Sequence, residues 1–238
     1  MAGKEIVSRG LPEGENFSYV RRGNRQAFSN GERIHLFSDL GSGETQGAVG
    51  RRIVDHMRKL SEVNASRTDV QLSIYAITQE LLHATFDEES RVGSDVLLVP
   101  VLRAGLGMWG AANRFFGYPE SSFVMGQKDK GTDKASVVWP KKNDLENKRV
   151  IILDPIIATG DTLLRTYEAL AEATSDQATQ IIVLSCYAAP QAVQKIIASS
   201  SQINFVIGCM AESVGADGYL IPPTNGDMGD KLFGPIKQ

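Results

Sequence analysis

The chain has 238 residues, enough for one large domain or two small ones and ample for a buried core. Hydrophobic residues make up 42% and charged ones 22%, near the globular average, and a net charge of −3 argues against nonspecific binding to nucleic acid or anionic membranes. No apolar run reaches the roughly 18 residues a spanning helix needs, and the N-terminus lacks a charged-then-apolar leader, so a soluble, cytoplasmic protein is expected.

Residues 1–45 are polar, rich in Gly, Ser, Asn and Arg, and show little sustained periodicity. They read as an N-terminal arm, with Arg21, Arg22 and Arg25 on a solvated face and phosphate contact as the sharper alternative. Two amphipathic helices follow: Val49, Ile53, Met57 and Leu60 share one face, and Val70, Ile74, Ile77 and Leu81 another. From residue 95 short apolar runs alternate with helical stretches. The expected strands are Val96–Val101, Ser122–Met125, Val150–Leu153, Gln180–Tyr187 and Asn204–Cys209. The expected helices are Gly105–Phe116, Thr162–Thr174 and Pro190–Ala198, and the charged stretch 127–148 reads as a long mobile excursion. The pattern predicts an α/β fold, an open, mostly parallel twisted sheet flanked by helices. The tail, 210–238, breaks it with dense Gly, Pro and Asp. Cys186 and Cys209, each within an apolar run, read as buried, reduced thiols.

Ligands of such sheets bind beyond the carboxyl ends of the strands, which nominates the segments after Val101, Leu153 and Cys209. The richest is Val150-Ile-Ile-Leu-Asp-Pro-Ile-Ile-Ala-Thr-Gly-Asp-Thr162. A strand ends in Asp154, and a loop of small residues then opens a helix whose first amides and dipole favour an anion. Ala158 and Gly160 let a phosphate approach the backbone, Thr159 and Thr162 add hydroxyls, and Asp154 is placed to accept from ribose hydroxyls. The blander alternative is a strand-to-helix turn with Asp161 or Thr162 as N-cap. It is not a Walker loop, since no lysine follows Gly160. His35, His56 and His83 are scattered and give no nucleophilic triad.

An apolar strand, an acid and Ala-Thr-Gly resemble the phosphoribosyl pyrophosphate motif of type I phosphoribosyltransferases, and Asp154-Pro155 resembles the uracil phosphoribosyltransferase family in particular. Val99-Pro-Val-Leu-Arg-Ala-Gly-Leu-Gly-Met108 resembles that family's pyrophosphate loop. Gly218-Tyr-Leu-Ile-Pro222 and Gly226-Asp-Met-Gly-Asp-Lys-Leu-Phe-Gly234 resemble its uracil-binding hood. The likeness runs from about 45 to 238 and implies one phosphoribosyltransferase domain over 46–238, with a hood at 210–238.

The resemblance also implies roles. Arg103 would hold pyrophosphate oxygens with its fork of donors. Asp154, Pro155, Ile156, Ile157, Ala158, Thr159, Gly160, Asp161 and Thr162 would cradle the ribose and 5-phosphate. Leu220, Gly226, Asp227 and Met228 would meet the base, and Asp227 would also face the sugar or the magnesium-bound pyrophosphate. Arg103, Asp154 and Asp227 are the expected catalytic set, Mg2+ is expected on the substrate's phosphates, and no metal is expected in a protein cage. The expected partners are phosphoribosyl pyrophosphate and uracil, with UMP and pyrophosphate as products. GTP binding and a homo-oligomer, dimer or tetramer, belong to the same expectation.

Three departures bear on this. Gly160-Asp161-Thr162 stands where the family has Gly-Gly-Ser, and an acid beside a phosphate is electrostatically awkward unless its side chain turns away. A second phosphate-binding arginine is missing after the third strand, leaving Lys128 or Lys130 to replace it as point charges. Pro222-Pro-Thr-Asn-Gly-Asp227 is one residue longer than the family's hood turn, and Pro223 has no N–H to donate, which reshapes the expected base pocket. The alternatives are a transferase for another nitrogen heterocycle and a non-catalytic sensor of phosphoribosyl pyrophosphate.

Overall fold

The computed structural model describes residues 18–19, 33–39, 44–45, 47–62, 64–87, 95–128, 135–138, 145, 148–173, 180–199, 202–216, 218–221 and 226–235. Its elements run β1 (Ser18–Tyr19), β2 (Ile34–Asp39), β3 (Glu44–Thr45), α1 (Gly47–Ser61), α2 (Arg67–Thr85), β4 (Val96–Leu102), α3 (Leu106–Phe115), β5 (Glu120–Ser121) and β6 (Val124–Lys128). There follow β7 (Ala135–Val138), β8 (Arg149–Leu153), β9 (Ile156–Ile157), α4 (Asp161–Ala173), β10 (Gln180–Ala188), α5 (Pro190–Ser199), β11 (Ile203–Met210), β12 (Ser213–Val214), β13 (Leu220–Ile221) and α6 (Met228–Phe233).

The two early helices bury the faces their periodicity marks. Ile53, Met57 and Leu60 of α1 are in the core with Val49 at its edge, and Val70, Ile74, Ile77 and Leu81 of α2 are fully inside. Ser66 starts α2 with a capping box: its hydroxyl accepts from the Asp69 amide and its own amide donates to the Asp69 carboxylate. Strands β4, β8, β10 and β11 are apolar almost throughout, because a parallel strand is covered on both faces. Cys186 and Cys209 lie in neighbouring strands of this core as buried thiols, with no disulfide between them.

The sheet has the order β1-β2-β11-β10-β8-β4-β6-β7 and is parallel from β1 to β6. From β4 the chain passes through α3 to β6 on one side, whereas from β8 it passes through α4 and β10 to β11 on the other. Right-handed crossovers in opposite directions place α3 and α4 on opposite faces. They also put the topological switch between neighbouring β4 and β8, where open sheets bind ligands.

The structure departs from the sequence reading in two places. Residues 34–39, placed in a polar arm, form β2 and pair with β11 along the sheet. Ile34, Leu36 and Phe37 are buried there, a short apolar run hidden among polar neighbours. The strand expected at Ser122–Met125 begins later and runs to Lys128, pairing antiparallel with β7 inside the supposed excursion. The paired residues, Met125 to Lys128 and Ala135 to Val138, carry one charge and a few apolar side chains over too short a run to give a periodic signal. Residues 129–134, 139–144, 146 and 147 of that excursion lie outside the described residues, as does the hood turn at 222–225.

Candidate active site

Strands β4 and β8 pair with Pro100 opposite Leu153, so their carboxyl ends finish side by side and launch the two motif loops together. After β4 the chain folds back: the Gly105 amide donates to the Val101 carbonyl at 2.8 Å and the Leu106 amide to the Arg103 carbonyl at 3.1 Å. The Leu102–Arg103 peptide is cis. A Cβ on Gly105 would stand 2.4 Å from the Leu153 carbonyl oxygen and 2.6 Å from the Val101 nitrogen, so no other residue fits. This crossing of backbones locks the arginine loop against the end of β8.

Arg103 is engaged on the hood side. One guanidinium nitrogen donates to the Gly234 carbonyl at 2.9 Å, and the other donates to Asp230 Oδ1 and lies 3.9 Å from Asp227 Oδ1. Asp227 is the N-cap of α6, accepting from the Asp230 amide at 2.8 Å. Further ties fasten α6 to the helical layer: Lys231 Nζ donates to the Leu60 carbonyl of α1, and Gln71 Nε2 of α2 donates to the Leu232 carbonyl.

The loop after β8 is the segment expected to cradle the ribose and 5-phosphate. Asp154 Oδ1 accepts from the Ile156 amide at 3.4 Å. Pro155 and β9 are stitched to β10, with the Tyr187 amide donating to the Pro155 carbonyl at 3.0 Å. Gly160 has φ of +77°, a left-handed conformation that glycine adopts without strain. Its carbonyl accepts from the Leu164 amide at 2.9 Å, so Gly160 is the N-cap of α4, rather than Asp161 or Thr162. The amides of Asp161, Thr162 and Leu163 thus form a first turn with no intrahelical acceptor. Asp161 Oδ1 accepts from Lys195 Nζ of α5 at 2.5 Å. That bond, with help from the Thr159 hydroxyl and against partial burial, holds its carboxyl below the usual carboxylate range.

These segments enclose one cleft of about 530 Å³. Of the expected site residues, Arg103, Asp154, Ile156, Ile157, Ala158, Thr159, Gly160, Asp161 and Thr162 line it from the sheet side, and Leu220, Gly226, Asp227 and Met228 from the hood. Pro155 is buried beneath the loop and stays out of the lining. Lys128 ends β6; its side chain and all of Lys130 lie outside the described residues. Met125, Tyr219 and Gly229 also line the cleft and were not anticipated. Nor was Asp230, although the spacing of Asp227 and Asp230 matches a helix cap and its third residue. None of the three histidines reaches the cleft.

Burial pushes the Asp154 carboxyl up to about 7, with the Ile156 amide opposing the shift. In the unfolded chain it titrates near 3.8. The fold therefore penalises the ionised form: the penalty is absent below about pH 4, grows to about pH 7 and is constant above it. Asp154→Asn is expected to be more stable than the wild type at pH 8, by roughly 2–4 kcal/mol, and equal to it near pH 4. Urea melts at both pH values check this; parallel pH profiles for the two proteins would refute it.

The architecture is a mostly parallel sheet flanked by helices, with an acid-ended strand and a glycine-led helix start beside an arginine loop at the switch point, an arrangement that suits a phosphoribosyltransferase. The model of the family described as uracil phosphoribosyltransferase matches residues 34–235, and the chain belongs to that family. Residues 203 in number align at 28% identity with a uracil phosphoribosyltransferase of Kineococcus radiotolerans, covering 85% of this chain and 94% of that one. Another, from Oceanobacillus iheyensis, is 29% identical over 77% of this chain and 85% of its own. In fold, the chain is similar to the AQ2163 protein from Aquifex aeolicus, with a TM-score of 0.67 at 18% identity over 84% of this chain and 98% of that one. No helix among the described residues is long and apolar enough to cross a membrane.

Proposed function

We propose that this transferase moves the 5-phosphoribosyl group from phosphoribosyl pyrophosphate to uracil, yielding UMP and pyrophosphate. The observation that carries the reading is the convergence of Arg103, Asp154 and Asp227, from three distant segments, on one cleft. Each supplies something the chemistry needs. As pyrophosphate leaves C1 of the ribose, positive charge develops on the ring and a base nitrogen attacks from the opposite face. Arg103 meets the departing charge, Asp154 accepts from the ribose hydroxyls, and the first turn of α4 receives the 5-phosphate. Asp227, 62% exposed at the cleft mouth, stabilises the cationic ring, while main-chain groups of Gly226 and Met228 read the base.

Magnesium belongs to this reading as an ion carried by the substrate. Asp154 and Asp227 offer the hard oxygen atoms it accepts, and among the described residues no three carboxylate, histidine or cysteine side chains gather into a cage. The ion would neutralise pyrophosphate charge, and the protein's own groups would do the positioning. A cytoplasmic location, GTP binding and a homo-oligomer, dimer or tetramer, complete the proposal.

The test is pyrophosphate release from phosphoribosyl pyrophosphate and magnesium with a panel of bases. Uracil is expected to support release and other heterocycles much less. Release with a different heterocycle and none with uracil would overturn the choice of base. Binding of phosphoribosyl pyrophosphate without release for any base would favour a sensor.

A further inference from the structure

Asp161 sits where charge alone disfavours it. It lines the cleft in the first turn of α4, beside the amides read above as the 5-phosphate site, and a carboxylate there repels a phosphate dianion. The carboxylate is bonded to Lys195, 34 residues further along the chain and on a different helix.

The approach of that helix follows from Gly160. A Cβ at this position would lie 3.2 Å from both Ala192 Cβ and Ile196 Cδ1, tighter than side chains normally pack, so the bare glycine lets α5 lie against the phosphate loop. Lys195 is one helical turn beyond Ala192 and therefore rises on the same side, over the start of α4. The residue that frees the loop backbone thus also admits the cation.

Resting on the phosphoribosyl reading above, we propose that Lys195 is a positioning residue for phosphate recognition, neutralising and turning away Asp161 so that the first-turn amides of α4 can hold the 5-phosphate. The pair has little to do with keeping the protein folded. Both side chains are nearly half exposed, at 44% for Lys195 and 46% for Asp161, and pairs this open contribute little to stability. Its effect is electrostatic and local, and it predicts opposite signs for its two halves. Loss of the lysine leaves an unscreened acid beside the phosphate; loss of the acid frees a cation beside it.

The experiment is calorimetric binding of magnesium phosphoribosyl pyrophosphate, and of ribose 5-phosphate as a probe of the phosphate site alone. The proteins are the wild type, Lys195→Met, Lys195→Arg, Asp161→Asn and the double variant Lys195→Met/Asp161→Asn. A unit charge a few ångströms from a dianion in partly solvated surroundings changes affinity on the order of tenfold. Lys195→Met should weaken both probes by about that factor and Asp161→Asn should tighten them, with the double variant near the wild type and Lys195→Arg rescued. The differences should shrink in molar salt. A merely structural pair gives losses of the same sign from either side, and that result overturns the inference. Wild-type binding with all variants within about twofold of it also overturns the inference but leaves the phosphoribosyl reading intact. Failure of the folded wild type to bind either probe overturns that reading, and the inference with it.

Discussion

Asp227→Asn is expected to fold like the wild type and to turn over far more slowly. Asp227 has two jobs in the structure: its side-chain oxygen caps α6 by accepting from the Asp230 amide, and its charge faces the cleft. Asparagine caps a helix about as well as aspartate, so the substitution keeps the first job and removes only the second. A charge that stabilises a cationic transition state contributes on the order of 2–4 kcal/mol, a loss of roughly 30- to 1,000-fold in kcat. Base binding should change much less, because the main chain of Gly226, Asp227 and Met228 is kept. Initial rates and base titrations on the same preparation separate the two quantities. Wild-type turnover in the variant would remove Asp227 from the mechanism, and a large fall in melting temperature would show that the cap was the main casualty.

Gly105→Ala is expected to damage the protein more than any exchange of a cleft side chain. The added methyl would meet two fixed backbones, the Leu153 carbonyl at 2.4 Å and the Val101 nitrogen and oxygen at 2.6 and 2.7 Å, so no rotamer change can relieve it. The ends of β4 and β8 must separate, which spoils the switch point itself. Overpacking in a rigid core costs about 1–3 kcal/mol, and contact with backbone on both sides places this case at or beyond the upper end. Gly110→Ala, in the middle of α3 with nothing within 4 Å of its new methyl, is the control. It should gain roughly 0.5–1 kcal/mol from helix propensity. Thermal melts of the two variants should move in opposite directions; a Gly105→Ala protein that melts with the wild type would show that the two backbones can part at little cost.

The sequence disclosed what repetition and spacing encode. Parallel strands buried on both faces read as unbroken apolar runs, which is why β4, β8, β10 and β11 were found almost to the residue. The loop after Leu153 stood out because Asp154, the small residues and Gly160 are what a ribose phosphate would require, and the structure places that loop on the cleft. What stayed hidden depends on contacts between remote parts. In β2, the run Ile34 to Phe37 is too short and too surrounded by polar residues to stand out, and its partner β11 comes at the other end of the chain. The Arg103–Asp230 pair joins positions 127 apart, and nothing in either local sequence announces it. Lys195 lies on the polar side of an ordinary amphipathic helix; only the close approach at Gly160 gives it a place near the site.

The pairing of β2 with β11 has a consequence for how the chain is made. Arg33, just before β2, also donates to the Ile203 carbonyl at the start of β11, 170 residues later. At about 5–20 residues per second, a ribosome needs roughly ten to thirty seconds to deliver that partner. For that time Ile34, Leu36 and Phe37 have been synthesised but cannot take their places beside β11. Parallel sheets with such long-range contacts form slowly in any case, and exposed apolar strands are prone to aggregate. Among the described residues, the first of the sheet's long strands to be synthesised is the one that must wait longest for its neighbour, and its apolar run stays open to misassembly for that time.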